Sequence, residues 1–122
     1  MITMDKETTM LDEKLLDQYY ELLGSDGVRE MYDTFNDNIG GYLDHLKHLV
    51  GKRDEGDTRR QAHKVKGACR SVGLAQLASQ MERLEREEWH WQDADDLLEQ
   101  WVIELPLHQH QLRRWLHARG IQ

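Results

Sequence analysis

Apolar residues recur at three- and four-residue spacing along most of the chain, and nowhere do they alternate as a half-buried strand requires. The period begins near Leu11 and Asp12 and continues through Leu15, Leu16, Tyr19, Leu22 and Leu23. Gly24 and Ser25 supply a stop and a new start, since glycine suits a helix C-terminus and serine or aspartate caps the helix that follows. A second helix is expected over residues 26–50, with Val28, Met31, Phe35, Ile39, Tyr42, Leu46, Leu49 and Val50 in its stripe. Gly40-Gly41 inside that stripe is unfavourable by about 1 kcal/mol per glycine relative to alanine and predicts a bend or a close helix crossing, not a break.

After the polar connection GKRDEG (51–56), residues 57–71 resume a helix with Ala62, Val65, Cys69 and Val72 on one side, ended by Gly73. A further helix over 74–88 carries Leu74, Leu77, Met81 and Leu84. The turn with Trp89, His90 and Trp91 leads to a last helix over 93–118, with Leu97, Leu98, Trp101, Leu105, Leu112 and Trp115 inward. Pro106 is expected to kink or split it, because its ring clashes with the preceding turn and it lacks an N–H. Such amphipathic helices hide their stripes only against each other. The expected fold is all-α, an antiparallel four-helix bundle with an additional short N-terminal helix as a lid.

A chain of 122 residues suits one domain, expected over 11–119. Residues 1–10, MITMDKETTM, have no apolar period and read as a flexible leader or expression remnant. No apolar run reaches about 18 residues and no secretory signal is evident, so neither a membrane span nor direct membrane contact is expected. Cys69 is the only cysteine, which fits a reducing, cytoplasmic setting. Glycine-rich phosphate-loop and dinucleotide fingerprints are missing from the sequence.

The net charge of -7 argues against nucleic-acid binding, which needs a basic field. That total conceals a segregation. Residues 1–50 carry 4 basic and 11 acidic groups, residues 71–122 carry 5 and 9, but residues 51–70 carry 7 and 3. On a helical wheel Ala62, Val65, Cys69 and Val72 fall within an arc of about 80° that faces the core. His63 lies well outside it, with Arg59, Lys66 and Arg70 flanking it at i-4, i+3 and i+7. The reading is a surface stripe of cations around one exposed imidazole, suited to an anion such as a phosphoryl group held on a ring nitrogen. Gly67 at i+4 would leave room for a partner to approach closely, and Lys66 would neutralise phosphoryl oxygens.

The run AHKVKGACRSVGLAQL (62–77) resembles the signature of histidine-containing phosphotransfer domains, His-x-x-Lys-Gly followed by a small and apolar run to glycine; His63, Lys66, Gly67 and Gly73 occupy those positions. LDEKLLDQYYELLG, the pair Gly41-Tyr42 and the closing RRWLHARG extend the resemblance over about residues 11–119, toward the C-terminal phosphotransfer domain of a membrane-anchored hybrid sensor kinase. The resemblance implies a phosphorylatable His63 that accepts phosphate from a receiver-domain aspartate and donates it to a response regulator. It implies a carrier without autokinase activity, with no cofactor of its own and magnesium supplied by the partner receiver. It also implies a polar residue on the neighbouring helix that orients the imidazole. Glu85 stands there where the family usually has glutamine, while Arg70 replaces a residue that is often small.

Other readings compete. The chain could be a helical scaffold that binds receivers without phosphotransfer, or a metal-binding bundle using His45 and His48, or His108 and His110 near Glu104. Trp89, Trp91, Trp101 and Trp115 could form a stacking platform, but their place on or beside apolar stripes favours packing. Cys69, in the buried arc, is expected to pack inertly.

Overall fold

The periodic segments fold as α1 (Glu13–Gly51), α2 (Glu55–Ser71), α3 (Ala75–Arg86) and α4 (Trp91–Ala118) in a computed structural model that describes residues 9–121. No strand occurs among the described residues, and no helix there is long and apolar enough to cross a membrane. Residues 1–8 of the expected leader lie outside the described range. Turns of three or four residues join successive helices, so neighbours run antiparallel. The architecture is an all-α four-helix bundle in which α2 packs on α1 and α3, and α4 closes the far side against both.

Gly24 divides α1. Its backbone leaves the helical region at φ 72° and ψ -178°, so the short N-terminal helix and the long one join at a sharp change of direction. That turn corrects the expected core: Leu16 is buried, but Leu22 and Leu23 are 79% and 51% exposed. Gly40-Gly41 is neither a break nor a close crossing. Both glycines are helical and exposed, with open space where a side chain would stand. Nor does Pro106 split α4. The helix continues through it, held on one side by buried Leu98 and Trp101 and on the other by buried His108, Leu112 and Trp115.

Ala62, Val65, Cys69 and Val72 are buried, as are Leu74, Leu77, Met81 and Leu84 facing them from α3. Trp101 fills the centre and donates its indole N–H to the carbonyl of Leu77 at 3.0 Å. Tyr32, Leu43, Ala94 and Leu116 join a core in which the stripes had not included them, whereas Met31, Tyr42, Leu97 and Leu105 are only half-buried.

The frame beneath His63 is set by the ends of α2. Asp54 caps its start, Oδ1 accepting from the Asp57 N–H at 3.1 Å. At its end the Leu74 N–H reaches the Cys69 carbonyl at 2.9 Å and the Gly73 N–H reaches that of Arg70 at 3.1 Å, a Schellman closure. Gly73, expected to end the helix, adopts φ +75°, and a Cβ there would come within 2.9 Å of Leu16. The Gly73 carbonyl accepts from the Asp12 N–H at 2.8 Å, so this turn also anchors the start of α1.

Candidate functional site

His63 stands on the outer face of α2 with 65% of its side chain exposed. Across the α2/α3 seam, Glu85 Oε2 lies 2.9 Å from its Nδ1. An ionised carboxylate only accepts, so at this contact Nδ1 carries the proton and the neutral ring keeps its lone pair on Nε2. The helix presents a nucleophilic nitrogen to solvent while its neighbour holds the opposite edge of the ring.

Lys66 departs from the expected surface stripe. Its side chain is 4% exposed, and its ammonium lies 2.5 Å from Glu85 Oε1 and 3.6 Å from Glu82 Oε1. The Oε1 atom is buried and is held by this ion pair without a well-directed hydrogen bond. Partial burial of Glu85 pushes its acidity toward the neutral form, but Lys66 and His63 outweigh that effect and hold it below the usual carboxylate value. Lys66 therefore spends its charge on Glu85 and Glu82.

Arg59 also turns inward. It donates to the Glu85 carbonyl at 2.8 Å, pairs with Glu55 at 3.0 Å and lies over the Trp89 ring at 4.7 Å, fixing the end of α3 on which Glu85 sits. Arg70 keeps 56% of its side chain exposed and pairs with Glu82 at 3.0 Å. Gly67 is exposed beside His63, with nothing within 4 Å of the place a Cβ would occupy. The structure thus brings His63, Lys66, Gly67 and Glu85 together, with Arg59 supporting from behind, Arg70 at the rim and Gly73 closing the helix.

Glu82 was missed by sequence reasoning. Its signal was present: acids at 82 and 85 on one helix oppose cations at 66 and 70 on the preceding one, in the order an antiparallel pair requires. The remaining candidates gather no comparable site. Among the described residues no group of three or more His, Cys, Asp or Glu side chains converges as metal ligands; His45, His48 and His110 are exposed and His108 is buried. Trp101 and Trp115 are core residues, while Trp89 and Trp91 form a half-buried edge-to-face pair at 4.9 Å. Burial pushes the Cys69 thiol up to about 12, as suits inert packing.

Comparison with known proteins agrees with the fold. The Hpt domain family matches residues 30–118. The aerobic respiration control sensor protein ArcB of Escherichia coli K12 is 29% identical over 103 residues, covering 82% of this chain and 13% of the relative, and the ArcB protein of Shigella flexneri matches equally. This chain therefore spans only about an eighth of the length of those relatives. The histidine-containing phosphotransfer domain of E. coli ArcB superposes with a TM-score of 0.77 at 27% identity, covering 90% of this chain and 95% of that one. A solution structure of the same domain reaches 0.81 at 24% identity, with 98% and 97% covered. With the family match spanning well over half the sequence on an all-helical bundle, the chain belongs to the histidine-containing phosphotransfer (Hpt) domain family.

Proposed function

We propose that this chain is a phosphocarrier in a two-component phosphorelay, with His63 as its nucleophile. The observation that carries the reading is the exposed imidazole whose Nδ1–H is held by Glu85, leaving the Nε2 lone pair toward solvent. Nε2 attacks the aspartyl phosphate of a receiver domain in line. The N–P bond forms as the bond to the aspartate oxygen breaks, and the aspartate leaves as a carboxylate. Positive charge grows on the ring as the bond forms, and the Glu85 carboxylate offsets it through the retained Nδ1–H. In the second step the N–P electron pair returns to Nε2 as the group passes to the aspartate of a response regulator. The ring is then neutral again, with its proton still on Nδ1.

Magnesium belongs to this chemistry as an ion held in the acidic pocket of the receiver. The carrier contributes a positioned nucleophile, an open approach at Gly67 and, at the rim, Arg70 for phosphoryl or receiver charge. No autokinase activity is assigned to this domain, which would depend on its partners for most catalytic groups. We place it on the cytoplasmic side, as a domain of a hybrid sensor kinase, where receivers operate. The test is incubation of wild-type protein and His63→Gln with a phosphorylated receiver. Acid-labile phosphate should appear on the former alone; equal labelling of His63→Gln would overturn the assignment, and binding of the receiver without labelling of either would favour a scaffold.

A further inference from the structure

We propose that the outer face of α4 is an interface for a second copy of this chain, with the two α4 helices packed antiparallel about a two-fold axis. The face lies apart from the phosphocarrier site, and His63 takes no part in it.

Two apolar side chains at the middle of α4 are left uncovered. Ile103 is 60% exposed and Leu107 is 59% exposed, one turn apart on a helix whose opposite side is buried through Ala94, Trp101 and Leu112. On the helical wheel Asp96, Ile103, Leu107 and Arg114 fall within an arc of about 40°, with Glu99 and His110 beside it. All six are exposed. Charge along the helix is segregated: residues 91–104 carry five acids and no base, whereas residues 105–118 carry two arginines, three histidines and no acid. The helix dipole favours that order only in the first and last turns, and Asp96, Glu99, His110 and Arg114 lie deeper than those turns. Nor are these charges answered within the chain. The ion pairs of α4 use Asp95, Glu104 and, at its C-cap, Arg119, while Asp96, Glu99 and Arg114 enter none among the described residues.

Such a stripe is its own complement when reversed. Asp96 and Arg114 stand equally far from Leu105 on either side, as do Ile103 and Leu107. In an antiparallel pair centred there, each Asp96 meets the other copy's Arg114, the isoleucines and leucines meet at the middle, and Glu99 comes beside His110. A crossing of about 20°, usual for antiparallel helices, keeps the charged ends within reach of each other. A partner of different sequence would require no such symmetry, which is what identifies the occupant as a second copy. With two large apolar side chains from each copy, the interface falls at the small end, below about 1,200 Å² in total, so association is weak and concentration-dependent. Because α2 packs on α1 and α3 and not on α4, both copies of His63 stay open in the pair.

The test is sedimentation velocity of the chain from micromolar to millimolar concentration. Wild type should pass from one copy to two, and Ile103→Asp should stay monomeric throughout. Asp96→Arg and Arg114→Asp each place like charges at both ends of the pair, so each alone should weaken association about tenfold or more. An equimolar mixture of those two variants should associate about as well as wild type, since every end then meets its opposite. Circular dichroism should find all of them helical, because the substituted positions are exposed. A wild type that remains monomeric, a dimer unchanged in Ile103→Asp, or a mixture no better than its components would overturn the proposal. Transfer from a phosphorylated receiver should be the same in Ile103→Asp as in wild type. A monomeric wild type whose transfer is slowed by that substitution would assign the face to the receiver instead.

Discussion

Two histidines of this bundle each sit beside a glutamate, with opposite results. His63 projects from α2, and its Nδ1 is matched at 2.9 Å by Glu85 from the neighbouring helix. His108 lies in α4 at 3% exposure, its Nε2 3.9 Å from Glu104 one turn earlier on the same helix and its buried Nδ1 without a partner. Glu104 is already engaged by Gln80 and Gln100. Burial pushes the His108 ring toward its neutral form, an effect that Glu104 only partly opposes. A carboxylate supplied across a helix seam can orient an exposed ring; one on the same helix, held by other groups, leaves the ring as core filler.

The strongest challenge to this contrast exchanges the two histidines as targets. His63→Gln should abolish transfer and leave thermal unfolding unchanged, since that side chain is 65% exposed. His108→Leu should preserve transfer and instead alter the pH dependence of stability. Because the folded state holds the acidity of His108 below the ordinary value of 6.5, its stabilising contribution is complete above that pH and is lost as pH falls below it. Unfolding followed from pH 8 to pH 5 should therefore be less acid-sensitive in His108→Leu than in wild type. Equal curves would show that His108 does not titrate with folding.

Gly73→Ala comes next. It forces an alanine to φ +75° and drives Cβ against Leu16, so denaturant unfolding should report a loss of about 2 kcal/mol. Gly67→Ala should do the reverse. The position is helical and open, so stability should rise by up to about 1 kcal/mol, while Gly67→Leu should slow transfer about tenfold by obstructing the receiver. Unimpeded transfer in Gly67→Leu would mean that partners do not approach over this residue. The smallest effect is expected from Arg70→Ala, whose exposed pair with Glu82 should contribute less than about 0.5 kcal/mol to unfolding.

The exposure of His63 and the inward arc of α2 were legible because a single helix repeats every 3.6 residues and four residues suffice to mark its buried side. The burial of Lys66 was not. On the wheel it flanks the arc, and what draws it inward is the acidic pair on α3, which the period of α2 cannot report. The exposure of Leu22 and Leu23 escaped for a related reason: the turn at Gly24 was readable, but not the direction in which it sends the chain. His108 carries a polar side chain on a stripe that otherwise reads as apolar, so its burial follows from the packing of α4 and not from its residue type.

The most direct test of the central claim is to locate the phosphate. After brief exposure to a phosphorylated receiver, the protein is analysed by fragmentation mass spectrometry under alkaline conditions, and the ring isomer is assigned by NMR. The account predicts one phosphoryl group on His63, bonded to Nε2, with Nδ1 facing Glu85. Phosphate on another residue, or bonded to Nδ1 of His63, would contradict it.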